Sequence, residues 1–226
     1  MLEPVVRLVD DDEGLLGGLS FVLKVAGFQV LTYSSAEDFL AKDDFARPGC
    51  IVLDVRMGGM NGLECQQVLR EKGVSQPILF MSGHGDIDMA MRAVKNGATD
   101  FLQKPVEAED LAEACRKLVN WHVEYLKTNE AKEKDRAQCA SLTDRERKVA
   151  ECVAQGLSNK AIADRFGITE QGVKFHRTNI YRKLEVHSAV EVEKKLSTTQ
   201  DTATDSSDFL TLRVLQSLSV KILPNR

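Results

Sequence analysis

Asp10, Asp11 and Asp12 stand directly after the run Val5-Val6-Arg7-Leu8-Val9, and Asp54 stands directly after Ile51-Val52-Leu53. A short apolar run without alternation reads as a strand buried on both faces, as in a parallel sheet. Both acidic ends then emerge at the same rim of one sheet. Carboxylates brought together there repel one another, and a cation is needed to hold them in place. Two more runs end in polar groups: Pro77-Ile78-Leu79-Phe80-Met81 in Ser82, and Thr99-Asp100-Phe101-Leu102-Gln103 in Lys104-Pro105. Open parallel sheets bind ligands outside the carboxyl ends of their strands. The predicted site therefore gathers carboxylates, a hydroxyl and an ammonium.

The elements that must position these groups follow from the stretches between the runs. Helical patterns cover Glu13 to Ala26, Ser35 to Lys42, Gly62 to Lys72 and Asp86 to Lys95, and another begins near Glu107. Five short strands alternating with five helices through short Gly- and Asp-containing loops predict an α/β fold, a doubly wound five-stranded parallel sheet covered on both faces.

With Asp10, Asp11, Asp54, Ser82, Phe101 and Lys104 in this order at strand ends, residues 1 to about 120 resemble the receiver domain of two-component response regulators, a flavodoxin-like fold. Ser82-Gly83-His84-Gly85-Asp86 is similar to the FixJ branch of that family. The resemblance implies that Asp54 takes a phosphoryl group from a phosphohistidine of a sensor histidine kinase and becomes an acyl phosphate. It implies Mg²⁺ on Asp11, Asp54 and the backbone carbonyl of Arg56, with Asp10 acting through water, since this ion keeps octahedral oxygen ligands. It implies that Lys104 and Ser82 meet the phosphoryl oxygens, and that Ser82 moving inward lets Phe101 rotate into the space it leaves.

Two positions depart from the family pattern. Gly58 stands where proline is usual, so the loop after Asp54 is expected to be more mobile, and Ser82 replaces the commoner threonine. Asp12 and Glu13 are expected to start a helix and not to bind metal. Lys104-Pro105 resembles the family's cis-proline site, although an isolated X-Pro bond is usually trans. His84 and His122 have no Cys or carboxylate at ligand spacing and read as loop and helix-surface residues.

Composition changes after residue 119. Residues 120 to 140 are rich in Glu, Lys and Ala without Gly or Pro, and Leu111, Cys115, Leu118, His122 and Tyr125 keep three- and four-residue spacing, so one helix is expected to run on as a helical linker. Beyond it, Thr143 with Glu146 and Ser188 with Glu191 have capping-box spacing, and Ser158 and Thr169 can cap the helices that follow them. Asn159 to Phe166, the turn at Gly167-Ile168 and Glu170 to Leu184 form a helix-turn-helix. The wording from Leu142-Thr143-Asp144-Arg145-Glu146-Arg147 through Tyr181-Arg182-Lys183-Leu184 closely resembles the LuxR-type DNA-binding domain over residues 141 to 196.

Within the second helix of the pair, Val173, Ile180 and Leu184 share an inward face, which leaves Gln171, Lys174, Phe175 and Thr178 for the major groove. The resemblance puts Lys174, Phe175 and Thr178 at base contacts; Lys160, Arg177, Arg182 and Lys183 suit phosphates. Charge divides accordingly: residues 1 to 119 hold 12 Lys and Arg against 19 Asp and Glu, whereas 141 to 197 hold 11 against 8. The acidic part suits metal and kinase and the basic part suits DNA. Gly172 stands where the family usually has threonine, and its helix cost suggests a first turn that firms up only on DNA.

The organisation read from the sequence is a receiver domain over residues 1–119, a linker over 120–140, a small all-α helix-turn-helix domain over 141–196, and a tail over 197–226. The tail is Ser-, Thr- and Asp-rich at first and then carries Leu210, Leu212, Val214, Leu218, Val220 and Ile222, open to a hairpin, an amphipathic helix or a dimer contact. No run of about 20 apolar residues is present and no basic-then-apolar leader, so a cytoplasmic chain without a membrane partner is expected. Cys50, Cys65, Cys115, Cys139 and Cys152 have no metal spacing and read as reduced thiols.

The expected function is phosphorylation-dependent transcription regulation by a homodimer on an inverted repeat, with RNA polymerase as a further partner and no enzymatic activity. Two other readings stay open here. A phosphatase with an aspartyl nucleophile would need a carboxylate two residues after it, where Arg56 stands. A phosphorylation-independent DNA-binding protein would use the first domain only for dimerisation, and a Mg²⁺ titration separates it.

Overall fold

The computed structural model describes residues 2–83 and 100–198; His84, the helix expected from Asp86 to Lys95 and the tail beyond Thr198 lie outside the described residues. The chain divides into two units, one reaching Leu126 and one starting at Lys127.

The first unit is built on strands β1 (Val5–Val9), β2 (Gln29–Tyr33), β3 (Gly49–Asp54), β4 (Ile78–Ser82) and β5 (Asp100–Gln103), all parallel in the order β2-β1-β3-β4-β5. Helices α1 (Glu13–Val25), α2 (Ala36–Lys42), α3 (Gly62–Glu71) and the start of α4 (Ala108–Ala140) cover it. Alternation sorts the strand residues onto two cores. Val6, Leu8, Cys50, Val52, Leu79 and Met81 pack under α1 and α4, while Val9, Ile51, Leu53, Ile78 and Phe80 pack under α2 and α3. Each such side chain, fully buried, contributes roughly 1.5–3 kcal/mol, which fixes the strands and hence the positions of their ends.

β2 is the strand that the apolar pattern had not located. It lies at the edge and buries only Tyr33 fully, so its apolar signal is thin. Asp12 caps α1, its side chain accepting from the Leu15 N–H, in keeping with a helix-start role. The Lys104–Pro105 bond is cis.

Among the buried polar groups that were not anticipated are Arg7 and His122. Arg7, inside β1, is 1 % exposed; its Nε donates to Asp43 Oδ2 at 2.7 Å and Nη2 donates to the Arg47 carbonyl at 3.2 Å. His122 is also 1 % exposed, so the helix-surface expectation was wrong. Its Nδ1 accepts from the Gly49 N–H at 3.0 Å, which leaves the proton on Nε2 facing Ser75 Oγ at 3.0 Å. Burial, with the Arg7 charge nearby, lowers this imidazole to about 4. Gly49 admits no side chain: a Cβ there would lie 1.8 Å from the Val5 carbonyl oxygen.

In the second unit, α5 (Asp144–Ala154), α6 (Asn159–Phe166), α7 (Glu170–Leu184) and α8 (Ala189–Thr198) enclose Val149, Ala150, Val153, Ile162, Val173, Ile180, Leu184 and Val192. Thr143, Ser158 and Thr169 cap α5, α6 and α7 through their hydroxyls, and Gly167 turns the chain after α6 at φ +64°. The first turn of α7 is formed and capped, which differs from the expected DNA-dependent start. The last turns of α4 belong to this unit and are more than a spacer. Lys134 pairs with Glu185 at 2.6 Å, Asp135 pairs with Lys195 at 2.9 Å, and Cys139 is buried in the core. All five cysteines are free and buried.

Candidate phosphoacceptor and DNA-contact sites

The strand order reverses between β1 and β3, and the carboxyl ends of these two strands flank the crevice where such sheets bind ligands. Asp10 follows β1 and Asp54 ends β3; both are buried, while Asp11 is exposed. Oxygens of Asp10, Asp11 and Asp54 all lie within 4.8 Å of one another. Lys104, after β5, reaches across with its Nζ 2.7 Å from Asp10 Oδ2 and 2.8 Å from Asp54 Oδ1. The Arg56 N–H donates to Asp54 Oδ2 at 3.1 Å, so both oxygens of Asp54 are engaged.

Among the described residues, three carboxylates face one ammonium, which leaves two negative charges uncompensated. Burial raises the Asp54 carboxyl above its ordinary range, with Lys104 acting the other way and Asp10 adding to the rise. Burial acts against the Lys104 charge as well, but its bonds to Asp10 and Asp54 outweigh this and hold it above the ordinary lysine range. A set of hard oxygen donors with surplus negative charge fits a small divalent cation such as Mg²⁺.

Ser82 ends β4, buried to 1 %, one residue past Met81, the register partner of Asp54. Its carbonyl accepts from the Lys104 N–H at 2.7 Å. Phe101 lies further back on β5, opposite Phe80, and is half-buried against the α2–α3 core. The structure thus gathers Asp10, Asp11, Asp54 and Lys104 directly, with the Arg56 backbone and Ser82 beside them; Phe101 stands behind the rim.

The loop between β3 and α3 is tied down, contrary to the mobility expected from Gly58. The Gly58 N–H donates to Asp11 Oδ2 at 2.8 Å, and the Met60 N–H donates to Glu37 Oε1 at 2.7 Å. Glu37 had not been singled out. It lies 23 residues from Met60, and nothing in its own stretch marks it.

On α7 of the second unit, Gln171, Lys174, Phe175 and Thr178 are all exposed, Phe175 to 66 %. An exposed phenyl on a helix whose aliphatic residues Val173, Ile180 and Leu184 are buried suits contact with a partner. The Thr178 hydroxyl donates to the Lys174 carbonyl at 3.0 Å, which satisfies its hydrogen. Lys160 and Arg182 are exposed. Arg177 braces the two helices, donating to Asn159 Oδ1 at 3.3 Å and to the Tyr181 hydroxyl at 2.9 Å.

Lys183, expected at a phosphate, makes two contacts within the unit. Its ammonium donates to Glu146 Oε2 at 2.6 Å and to the Ser141 carbonyl at 3.2 Å. This bond to Lys183, with help from the Thr143 N–H and hydroxyl, lowers the Glu146 carboxyl to about 2. The pair locks α7 to the start of α5, and its charge is neutralised at home.

Residues 6–116 match the model of the response regulator receiver domain, and residues 140–195 match that of bacterial regulatory proteins of the luxR family. The response regulator protein TmoT of Ectopseudomonas mendocina is 40 % identical over 190 residues, 84 % of this chain and 86 % of that protein. The transcriptional regulatory protein FixJ of Rhizobium meliloti (strain 1021) is 38 % identical over 192 residues, 83 % of this chain and 92 % of that one. Among solved structures, the response regulator StyR superposes with a TM-score of 0.80 at 39 % identity, over 87 % of this chain and 99 % of that chain. Among the described residues, no helix is long and apolar enough to cross a membrane.

Proposed function

Because the chain belongs to the two-component response regulators that join a receiver domain to a LuxR-type DNA-binding domain, we propose that phosphorylation of Asp54 by a sensor histidine kinase controls its binding to DNA. The observation that carries this is the buried Asp54, sharing the Lys104 ammonium with Asp10 at 2.8 and 2.7 Å in a cluster short of positive charge.

An oxygen of Asp54 attacks the phosphorus of the donor phosphohistidine. The new P–O bond forms as the P–N bond breaks, and the leaving imidazole recovers a proton. Asp11, Asp54 and the Arg56 carbonyl, with Asp10 acting through water, would hold Mg²⁺, which would supply charge neutralisation and orientation of the donor. Lys104 moves its attraction from the Asp54 carboxylate to the phosphoryl oxygens. Ser82 donates its hydroxyl to them, and Phe101 turns into the space that Ser82 leaves.

In the second unit, Gln171, Lys174, Phe175 and Thr178 read base edges, while Lys160, Arg177 and Arg182 meet phosphates. Two phosphorylated copies then bind an inverted repeat. We take the DNA-binding module to begin within the last turns of α4, in view of the Lys134–Glu185 and Asp135–Lys195 pairs.

The test is DNA binding by the purified chain with and without acetyl phosphate and Mg²⁺, for wild type and Asp54→Asn. The expected result is tighter binding with the donor in wild type alone. Tight and unchanged binding in both proteins would make the receiver a dimer module and end the phosphorelay reading.

A further inference from the structure

The proposed cation site has one weakly placed member. Asp10 and Asp54 are buried and fixed by Lys104, but Asp11 is exposed, and its carboxylate could rotate away from the cluster. What holds it is the backbone of the opposite loop. The Gly58 N–H donates to Asp11 Oδ2 at 2.8 Å, across 47 residues of chain, and so sets the direction of a carboxylate that has an oxygen within 4.8 Å of Asp10 and Asp54.

That loop is itself clasped from the far side. The Met60 N–H is held by Glu37 Oε1 at 2.7 Å, and Gly59 sits at φ +80° with a Cβ position only 2.6 Å from the same oxygen. Gly59 is glycine because of its conformation and this close approach. Gly58 is different: its φ is not left-handed, and a Cβ there would meet only Asp11 Oδ2, at 3.8 Å. A side chain is tolerated at 58, so the feature that the site uses there is the N–H.

We propose that the Gly58 amide is a positioning group for the divalent cation: it holds Asp11 so that one oxygen faces Asp10 and Asp54, and so makes the β3–α3 loop part of the cation site. Outer partners of this kind commonly change metal affinity by one to two orders of magnitude. The proposal rests on the reading of Asp10, Asp11 and Asp54 as a Mg²⁺ site.

The test compares Mg²⁺ binding by calorimetry to the full chain as wild type, Gly58→Ala and Gly58→Pro, with amide exchange at Gly58 as a second measurement. Alanine keeps the donor and proline removes it. The expected result is Gly58→Ala within about twofold of wild type and Gly58→Pro weakened about tenfold, with the Gly58 amide protected in wild type and exposed in Asp11→Ala. Equal affinity in Gly58→Pro and wild type overturns the proposal, as does an equal loss in Gly58→Ala and Gly58→Pro. An amide that exchanges as fast in wild type as in Asp11→Ala overturns it even where proline distorts the loop. A wild type that takes up no Mg²⁺ overturns the cation site itself, and the proposal with it.

Discussion

β1 leads to two buried charges that keep different company. Arg7 meets Asp43 at 2.7 Å, and the Tyr33 hydroxyl donates to the same Asp43 oxygen at 2.7 Å. Just past the strand, Asp10 shares Lys104 with Asp54, with Asp11 alongside. Among the described residues, the first cluster sets one cation against one carboxylate and the second sets one against three. Proton affinity follows the count. Burial alone would raise the Asp43 carboxyl, yet Arg7 and Tyr33 hold the anion well enough to lower it, whereas burial of Asp54 prevails over its share of Lys104 and raises it. A buried charge with its full complement belongs to the fold, and a cluster left short of charge marks where a ligand must supply it.

The largest effect should come from breaking the balanced cluster. Asp43→Ala strands the Arg7 guanidinium, whose side chain is 1 % exposed, and should cost about 4 kcal/mol in urea unfolding. Asp54→Asn removes a repelling charge from the other cluster and should leave stability level or higher while abolishing phosphorylation. Similar losses in the two variants would erase the distinction between them.

His122 extends the balanced kind to a group without a counter-ion. Its imidazole is neutral because Nδ1 accepts from Gly49, and burial holds it at about 4 against an ordinary 6.5. The unfolded chain therefore binds a proton that the folded chain refuses between these values. Stability is complete above about pH 6.5 and falls as pH drops towards 4, by about 3 kcal/mol at pH 4. Trp121, stacked beside His122 at 6.4 Å between ring centroids, reports the unfolding by fluorescence. His122→Asn should flatten this part of the pH profile; an unchanged slope would assign it to other groups.

These clusters also mark what the sequence could and could not tell. Asp10, Asp11, Asp54, Ser82 and Lys104 were legible because each closes an apolar run, and a buried parallel strand dictates where its end emerges. Arg7–Asp43, Gly58–Asp11 and Gly49–His122 were not, since their partners lie 36, 47 and 73 residues apart and nothing local encodes the pairing. His122 had left a trace: it continues the Leu111, Cys115, Leu118 stripe, all of it buried, and the periodicity was the better guide. In the second unit the helix bounds and caps were readable from Thr143, Ser158 and Thr169. The Lys183–Glu146 bond was not, because a basic residue on a DNA-binding helix looks the same whether or not it also meets a carboxylate of its own unit.

Lys183 gives a smaller test of the same contrast. Lys183→Met removes the partner of a carboxylate that is 9 % exposed and should cost about 2 kcal/mol of stability in the second unit. The Glu146 share of that stability is present above its ordinary value near 4.5 and is lost as pH falls towards 2. A phosphate contact would instead lower the salt slope of DNA binding by about one. The expected outcome is a stability loss with the slope unchanged.

The smallest effect belongs to the surface that carries no buried charge. Gly172 lies in the first turn of α7, and a Cβ there would meet Thr169 Oγ1 at 3.5 Å and Ile168 carbons at 3.9 Å, ordinary contacts. Gly172→Ala should therefore stabilise the chain by about 1 kcal/mol, the helix propensity that glycine forgoes. Its consequence for DNA depends on when the turn orders. The Gly172 N–H already donates to Thr169 Oγ1 at 3.1 Å, so the turn is formed before any contact with bases, and affinity should stay level as unfolding shifts to higher urea. Were the turn ordered only on the operator, the same kcal/mol would reappear as binding, about fivefold tighter, and the reading face would have to be counted as folding on its target.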